Sequence, residues 1–302
     1  MKILVTGANG LLGQKLVGLI AGKPGDTLIA TGRGANRNPA LGETYHYREM
    51  DITDADQVMS VMSSEKPDVV INTAAMTNVD QCEDDKEGCW KMNVTAVEHL
   101  VQACQETGAF LLHLSTDFIF DGVHGPYKEE DEAHPISYYG DSKLAAEQRI
   151  MDSPIRWAIA RTVLVYGIAH DMSRSNIILW VKKNLEERKE IFVVNDQWRT
   201  PTLAEDLAEG CYLIASKQVE GVFNISGKDL LTPYEMAIKT ADFFELDKSY
   251  ITETDGSRFS QPAMRPPRTG FVLDKAYEVL NYAPHSFDEG ISVLADQIAA
   301  KR

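Results

Sequence analysis

The chain has 302 residues, enough for one large domain or two smaller ones with buried cores. Its 45 acidic and 30 basic residues give a formal net charge of −15, which argues against nucleic acid or an anionic membrane as the main partner. The four cysteines lack CxxC spacing and the seven histidines lack metal-ligand spacing, so we expect free thiols and no structural metal.

The N-terminal segment reads as a strand, a glycine-rich turn and a helix. Residues 2–6 form an apolar run, and three glycines follow in GxxGxxG spacing before a helical pattern. Gly7 permits a tight turn, Gly10 lets the backbone approach a pyrophosphate, and Gly13 lets helix and strand pack closely. The free N–H groups and positive dipole end of the helix suit phosphates. The residues of this turn that we predict to bind a dinucleotide are Gly7, Asn9, Gly10, Leu11, Leu12 and Gly13.

The end of the second predicted strand bears on the choice between NADP and NAD. This strand, residues 28–30, runs into Thr31-Gly32-Arg33. An NAD site usually carries an acid about 20 residues after the glycines, where it bonds the ribose 2′-hydroxyl. No carboxylate stands in that place here, and a guanidinium suits a 2′-phosphate. Arg33 therefore favours NADPH, with NADH still possible; the alternative is that Arg33 is a solvated loop residue.

Other predicted cofactor contacts follow the third and fourth strands. An aspartate after residues 45–50 could accept a hydrogen bond from the adenine amino group. Residues 67–72 form a strand that runs into small residues, which allow close approach of a cofactor but are also common in turns without function. An asparagine inside the helical pattern at 80–106 is either a packing anchor or exposed. The predicted cofactor-binding residues of these segments are Asp51, Ile52, Ala74, Ala75, Thr77 and Asn93.

The stretch from Ser115 to Lys143 carries the predicted chemistry. An apolar strand at 110–114 ends at Ser115-Thr116, and open parallel sheets bind ligands at this edge. Tyr139 and Lys143 are four residues apart where a helical pattern begins, so they share one face. A nearby ammonium favours the phenolate and lowers the pKa of a tyrosine, which makes Tyr139 a plausible proton donor. The alternative is the start of an ordinary amphipathic helix.

The alternation of strands and helices predicts the fold. It continues to a sixth strand at 157–161 and is typical of an α/β protein with a Rossmann-like, doubly wound parallel sheet. We predict an NAD(P)-binding Rossmann domain over residues 1–165, to which later segments return. Residues 166–302 are predicted to form mainly a smaller α/β substrate-binding region. Three arginines within 255–270 either bind an anion or belong to a solvated loop.

Gly7-x-x-Gly10-x-x-Gly13 together with Tyr139-x-x-x-Lys143 resembles the extended short-chain dehydrogenase/reductase family. The resemblance runs from residue 1 to about 280. Within this family the chain looks most like the nucleotide-sugar reductases, on the stretches 115–122, 126–131, 139–147, 195–197 and 201–202. This closer resemblance implies reduction, by NADPH, of the 4-keto group of a nucleotide-linked 6-deoxy sugar. By this resemblance Tyr139 and Lys143 are catalytic and also contact the cofactor: the tyrosine donates the proton, and the lysine lowers its pKa and bonds the nicotinamide ribose. Thr116, the third catalytic residue, bonds the carbonyl or the tyrosine.

Three alternatives stay open. Dehydratases of the family carry Asp-Glu after the threonine, and Phe118 stands here at the place of that glutamate, which favours reduction over elimination. An epimerase on the same fold is a second alternative. The third is a regulatory subunit like the beta subunit of methionine adenosyltransferase, which binds NADP and acts through a partner enzyme. Relatives often carry a tryptophan where Val163 and Leu164 stand. Because that tryptophan lies near the sugar-nucleotide site in the relatives, the identity of the sugar is open here.

The sequence also predicts location and partners. It lacks the roughly 18 uninterrupted apolar residues of a membrane span, and its first residues lack the pattern of a signal peptide. We therefore expect a cytoplasmic protein that binds a nucleotide sugar and neither nucleic acid nor membrane. A homodimer is an open possibility.

Overall fold

A seven-stranded parallel sheet forms the centre of the computed structural model, which describes residues 1–38, 44–170 and 175–300. Within these ranges the strands are β1 (Lys2–Thr6), β2 (Thr27–Gly32), β3 (His46–Glu49), β4 (Val69–Asn72), β5 (Phe110–Thr116), β6 (Trp157–Thr162), β7 (Val165–Tyr166), β8 (Ile191–Val194), β9 (Thr202–Leu203), β10 (Gly221–Asn224) and β11 (Ile251–Thr254). The strand order in the main sheet is β10-β6-β5-β4-β1-β2-β3, with every neighbouring pair parallel. The order reverses between β1 and β4, the place where open α/β sheets bind ligands.

Helices cover both faces of this sheet. The helices are α1 (Leu11–Ala21), α2 (Ala55–Glu65), α3 (Val79–Asp84), α4 (Lys86–Trp90), α5 (Ala96–Thr107), α6 (Tyr138–Met151), α7 (Ile177–Glu186), α8 (Ala204–Lys217), α9 (Pro233–Phe243) and α10 (Phe287–Ala300). Alternate residues of β1 point to opposite faces: Ile3 and Val5 pack with α1 and α8, whereas Leu4 packs with α2, α5 and α6. All seven residues of β5 are buried, as expected for a parallel strand covered on both sides.

The chain beyond residue 165 contributes both to the main sheet with its helices and to a separate two-stranded sheet. Helix α8 packs on α1, and β10 pairs with β6 at one edge of the main sheet. Separately, β8 pairs with β11, and apolar side chains of α7 and α9 pack against these strands. The predicted α/β fold with a parallel sheet is therefore confirmed, and later segments do return to that sheet. The division between residues 165 and 166 as a domain boundary stays a prediction.

Two further properties of the described part of the chain bear on the sequence predictions. Residues 1–38, 44–170 and 175–300 contain no helix with the length and apolar character needed to cross a bilayer. The same ranges hold no cluster of three or more histidine, cysteine or acidic side chains suited to a metal ion. All four cysteines are free thiols and buried, as predicted from their spacing.

Candidate active site

The glycine-rich turn lies where β1 adjoins β4. Gly7 has a φ angle of +64°, and a Cβ atom there would lie 2.7 Å from Oγ1 of Thr73. A Cβ atom on Gly13 would lie 2.2 Å from the carbonyl oxygen of Gly7. These contacts confirm the predicted tight turn and the predicted close packing of helix on strand. Helix α1 begins after Gly10 without a side-chain cap, so its N-terminal N–H groups face the space beside the turn.

A cleft of about 670 Å³ opens at this turn and follows the carboxyl ends of the central strands. The predicted residues that line it are Gly10, Leu11, Leu12, Gly13, Ala75, Thr77, Thr116, Tyr139 and Lys143. The other lining residues are Thr73, Val79, Leu114, Ser115, Asp117, Phe118, Thr162, Leu164, Val165, Ala169, Ser175, Asn176 and Leu207. A surface depression of about 620 Å³ between β3 and α2 contains none of the predicted site residues.

Asn9 precedes the cleft-lining Gly10 in the chain and ties the glycine turn to the loop after β2. Its Nδ2 donates to the carbonyl oxygen of Ala35 at 3.1 Å and to the Tyr47 hydroxyl at 3.0 Å. Its Oδ1 accepts a hydrogen bond from the backbone N–H of Arg37 at 2.9 Å. The Asn9 amide thus fixes the loop that carries Arg33, whose side chain is exposed.

Asp51 and Ile52 follow β3, outside the cleft. Oδ1 of Asp51 accepts from the N–H and the hydroxyl of Thr53, both at 2.9 Å, and this organises the turn into α2. Ile52 is buried in the core on the α2 and α5 face of the sheet. The carboxylate of Asp51 is half-buried, so contact with an adenine amino group stays a prediction.

Asn93 is buried behind the loop that forms one wall of the cleft. Its Oδ1 accepts from the N–H of Met76 at 2.8 Å, and its Nδ2 donates to the carbonyl oxygen of Met76 at 3.1 Å. Nδ2 also donates to Oγ of Ser142 on α6 at 3.0 Å. The sequence left open whether Asn93 is a packing anchor or exposed, and these contacts confirm the packing anchor. Asn93 does not line the cleft; it holds the backbone of the loop that includes Ala74, Ala75 and Thr77.

Tyr139 lies in the first turn of α6, which begins after Ser137 caps it with a hydrogen bond to the N–H of Gly140. The phenol is buried beside Phe118, with the ring centroids 5.8 Å apart. Burial raises the pKa of Tyr139 well above its usual value, and a hydrogen bond with the Thr116 side chain opposes the rise only in part. The tyrosine therefore keeps its proton at neutral pH.

Lys143 lines the same cleft, as its four-residue spacing from Tyr139 predicted. Its Nζ donates to the carbonyl oxygen of Leu114 at 2.6 Å and lies 3.0 Å from Nε2 of His113. Burial lowers the pKa of Lys143 to about 8, although Glu147 one turn away opposes the shift. Burial dominates the pKa of Tyr139, and the Lys143 amino group bonds the Leu114 carbonyl on β5, so the predicted lowering of the tyrosine pKa by Lys143 stays a prediction.

The strand end at Thr116 is tied to the C-terminal half of the chain through Asp117. Oδ1 of Asp117 lies 3.1 Å from the Thr116 hydroxyl, and Oδ2 accepts a hydrogen bond from the Thr269 hydroxyl. Nε of Arg199 lies 3.8 Å from Oδ2. Burial raises the pKa of Asp117, and the Arg199 guanidinium opposes that rise. This buried group connects the end of β5 to Arg199 and Thr269, which both belong to the chain beyond residue 165.

Helix α6 is held against the sheet by a buried ion pair and by a glycine. The Arg161 guanidinium on β6 donates to both carboxylate oxygens of Glu147, at 3.1 and 2.7 Å. Such bidentate pairs fix orientation as well as distance. A Cβ atom on Gly140 would lie 2.2 Å from the carbonyl oxygen of Phe118, so only glycine lets the helix approach this loop. Tyr139 and Lys143 are thereby fixed relative to Thr116.

The arginine-rich segment 255–270 has its guanidinium groups in contact with other parts of the protein. Arg265 donates to both carboxylate oxygens of Asp80, at 3.0 and 2.7 Å. Arg268 donates to the carbonyl oxygen of Gly125 at 2.9 Å and lies over the ring of Trp198. Arg258 lies over the ring of Phe192. Through these contacts the three arginines hold segment 255–270 against other parts of the protein.

The sequence interpretation missed several residues beside the site. His113 read as part of an apolar strand, although a histidine within such a run is itself a signal of a buried polar contact. The sequence around Ser142 does not indicate its hydrogen bond with Asn93. Ser115 ends a predicted strand, and its buried Oγ makes no hydrogen bond to the residues the structure describes. Ser115 also lines the cleft.

Known proteins resemble this chain over most of its length. The model of the RmlD substrate binding domain matches residues 1–300. A probable low-salt glycan biosynthesis reductase, Agl14, of Haloferax volcanii is 32% identical over 97% of this chain and 97% of its own length. A dTDP-4-dehydrorhamnose reductase of Aggregatibacter actinomycetemcomitans is 32% identical over 96% of this chain and 97% of its own length. The methionine adenosyltransferase 2 subunit beta of Bos taurus is 29% identical over 83% of this chain and 74% of its own length.

Solved structures resemble the whole chain in the same way. A dTDP-4-dehydrorhamnose reductase from Clostridium acetobutylicum superposes with a TM-score of 0.86 and 29% identity, covering 99% of this chain and all of that one (100%). A dTDP-4-dehydrorhamnose reductase from Bacillus anthracis, solved in complex with NADP, superposes with a TM-score of 0.82 and 26% identity over 98% of this chain and 99% of its own.

Proposed function

The chain belongs to the RmlD substrate binding domain family, and we propose that it uses NADPH to reduce the 4-keto group of a nucleotide-linked 6-deoxy sugar, as in the conversion of dTDP-4-dehydrorhamnose to dTDP-L-rhamnose. The family membership confirms the resemblance to extended short-chain dehydrogenases/reductases and the predicted class of NAD(P)H-dependent oxidoreductase. The identity of the substrate and the roles of individual residues are what we propose.

One observation carries this proposal: a buried tyrosine that keeps its proton lies in the same cleft as the glycine turn. Reduction of a ketone forms an alkoxide, which needs a proton and preplaced hydrogen-bond donors. Tyr139 has the proton because its pKa is raised. Ser115 and Thr116 line the same cleft at the adjacent strand end.

The residues around the glycine turn fit a dinucleotide. The uncapped N-terminus of α1 suits a pyrophosphate, and the close approach that Gly7 and Gly13 allow leaves the backbone open to it. When bound, NADPH supplies the hydride and the protein supplies orientation. We propose that Arg33 binds the 2′-phosphate, which agrees with the NADP complex of the Bacillus anthracis reductase.

We propose three roles around the substrate carbonyl. Tyr139 gives its phenolic proton to the carbonyl oxygen, and Thr116 bonds that oxygen or the phenol. Lys143 keeps N–H groups beyond the one that it donates to Leu114, and we propose that one bonds the nicotinamide ribose. Phe118 has no acid–base chemistry, so the site suits reduction better than elimination of water.

Leu164 forms part of the wall where the sugar would lie. It lines the cleft, its side chain is 43% exposed, and its φ angle is +37°. Strained residues of this kind are held by their surroundings and concentrate at functional sites. We propose that Leu164 and the segment around it help to select the sugar. A cytoplasmic location and a homodimer stay predictions.

A second candidate is a cofactor-binding regulatory subunit, because the beta subunit of methionine adenosyltransferase 2 is 29% identical over 83% of this chain. A reductase consumes NADPH, whereas a regulatory subunit only binds it. The deciding experiment is to follow NADPH absorbance with freshly generated dTDP-4-dehydrorhamnose, with dTDP-glucose as the control that lacks a ketone. Oxidation of NADPH only with the ketone is the expected result. Tight NADPH binding, seen as a thermal shift, without oxidation with this or other 4-keto-6-deoxy sugar nucleotides would favour the regulatory subunit.

A further inference from the structure

Cys82 and Cys89 hold their sulfur atoms 2.6 Å apart behind the helix that carries Tyr139. Cys82 lies on α3 and Cys89 on α4, and both side chains are fully buried. A disulfide bond is about 2.05 Å long, whereas carbon atoms in ordinary contact are about 3.5–4.0 Å apart. The two short helices therefore bring the sulfurs closer than ordinary packing requires and near the distance of a covalent bond.

The surroundings of the pair favour loss of a proton from Cys89. Nδ2 of Asn93 donates to the Cys89 sulfur at 3.4 Å, and Oγ of Ser142 lies 3.5 Å away. A hydrogen bond between the two cysteines lowers the pKa of Cys89 and raises that of Cys82, and the nearby Lys143 also lowers the pKa of Cys89. Of the two, Cys89 is therefore the one that more readily becomes a thiolate, which is the nucleophilic form of cysteine.

We propose that Cys82 and Cys89 form a site of reversible oxidation, at which a small peroxide converts the two thiols into an intramolecular disulfide. The inference stands on the contact between the two sulfurs and on their neighbours, and it does not depend on the proposed reductase reaction.

The chemistry balances with hydrogen peroxide as the oxidant. The Cys89 sulfur attacks one peroxide oxygen, an S–O bond forms, the O–O bond breaks, and water leaves after protonation; Cys89 is then a sulfenic acid. The Cys82 sulfur attacks the Cys89 sulfur, its proton goes to the departing oxygen, and a second water leaves as the S–S bond forms. Two thiols are oxidised and one peroxide is reduced to two waters.

The position of the pair offers a route for a small oxidant. The Cys82 sulfur lies 3.8 Å from the carbonyl oxygen of Met76, in the loop that forms one wall of the cleft. Thr77 and Val79, on either side of the α3 N-terminus, line that cleft. Short segments of this kind open locally more easily than core helices.

The other two cysteines are internal controls. Cys104 on α5 and Cys211 on α8 lie among apolar side chains of the two sheet faces. Burial raises the pKa of Cys104 to about 12 and also raises that of Cys211. Neither is in contact with another cysteine in the described part of the chain, so we expect both to stay thiols.

Peptide mapping of the full-length protein tests this proposal. Reduced protein is treated with low hydrogen peroxide, unfolded with an alkylating agent present, and digested with trypsin. Cleavage after Lys86 separates the two cysteines, because Cys89 then lies in the five-residue peptide Glu87–Lys91. We expect this peptide linked to the one that ends at Lys86, a fall from four titratable thiols to two, and reversal by dithiothreitol.

Variants sharpen the test. Cys82→Ser and Cys89→Ser are each expected to lose the link, whereas the matched controls Cys104→Ser and Cys211→Ser keep it. The wild-type map decides the question even if a variant fails to fold. The proposal is overturned if Cys82 and Cys89 stay alkylated as fully as Cys104, if they are found as sulfinic acids, or if the links join two different chains.

Discussion

The Nζ atom of Lys143 lies 3.0 Å from Nε2 of His113, and both side chains are buried. On the other side of the imidazole, Nδ2 of Asn72 lies 3.0 Å from Nδ1, and Oδ1 of Asn72 accepts a hydrogen bond from the Thr6 hydroxyl at 2.6 Å. Burial and the neighbouring Lys143 lower the pKa of His113, so the ring is neutral and carries one N–H. Polar groups of β1, β4, β5 and α6 thus form one chain.

The direction of these hydrogen bonds bears on the charge of Lys143. With the Thr6 hydroxyl donating to Asn72, the amide N–H faces Nδ1, which must accept it. The ring proton is then on Nε2 and points at Lys143. A neutral amine accepts such a bond, whereas an ammonium has no lone pair and cannot. The chain from Thr6 therefore favours the neutral lysine, in the same direction as the burial that lowers its pKa to about 8.

The first prediction is that Thr6→Val moves the alkaline limb of the pH–rate profile upwards. We propose that the positive charge of Lys143 also stabilises the alkoxide, so kcat/KM is expected to fall as the pH rises through about 8, where this lysine loses its proton. Without the Thr6 hydroxyl the Asn72 amide can turn its oxygen toward Nδ1, and Nε2 can accept from the ammonium. The limb should rise by about one pH unit, since one pKa unit corresponds to about 1.4 kcal/mol, the size of one hydrogen bond.

Thr31→Val is the matched control for this prediction. Thr31 is also a buried threonine of the main sheet, and its hydroxyl donates to the carbonyl oxygen of Val5 at 3.1 Å, outside the chain that leads to Lys143. Thr31→Val should lower the free energy of unfolding by a similar amount and keep the pH–rate profile of the wild type. If the alkaline limb fell at the same pH in Thr6→Val and in the wild type, the Thr6 hydroxyl would not influence the pKa of Lys143.

The second prediction concerns the proton donor. Tyr139→Phe keeps the ring that packs against Phe118 and removes the proton that the alkoxide needs, so kcat should fall by about 10²–10⁴-fold. The Kd for NADPH, measured by fluorescence titration, should stay within a few-fold of the wild-type value. Tyr138→Phe is the control, because the neighbouring tyrosine packs near Trp90 outside the cleft. A Tyr139→Phe variant with wild-type kcat would remove this residue from the mechanism.

The parts of the site that could be predicted were those encoded locally. Glycine spacing placed the turn, and the four-residue spacing of Tyr139 and Lys143 placed them on one face of a helix. Alternating apolar runs predicted the sheet, because each strand and helix has its own pattern. These features need no knowledge of which distant segments meet.

The partners of those residues could not be predicted because they come from distant segments. His113 meets Lys143 across 30 residues, and Arg265 meets Asp80 across 185. The pKa of Tyr139 depends on burial, which the spacing from Lys143 does not reveal. The sequence therefore predicted that Tyr139 and Lys143 share one face of a helix, but not that burial raises the pKa of the tyrosine.

The third prediction concerns selection of the cofactor. Arg33→Ala should raise the KM for NADPH by at least about tenfold, since a charge-assisted bond to a phosphate contributes about 1.5–3 kcal/mol. The KM for NADH should change little, because NADH lacks the 2′-phosphate. Arg48→Ala is the control, since Arg48 is an exposed arginine of β3 that pairs with Glu65 at 3.4 Å. Equal increases for both cofactors would contradict a phosphate contact at Arg33.

The fourth prediction compares two glycines of α1 that differ only in what surrounds them. A Cβ atom on Gly13 would lie 2.2 Å from the carbonyl oxygen of Gly7, whereas one on Gly18 would meet nothing within 4 Å. Gly18→Ala should stabilise the protein by up to about 1 kcal/mol, because alanine favours the helix. Gly13→Ala should destabilise it by about 1–3 kcal/mol through overpacking and weaken NADPH binding as α1 moves from the turn. Urea unfolding and NADPH titration of both variants give the two values. Gly13→Ala with wild-type stability and affinity would show that α1 does not need this close contact with β1 to bind the cofactor.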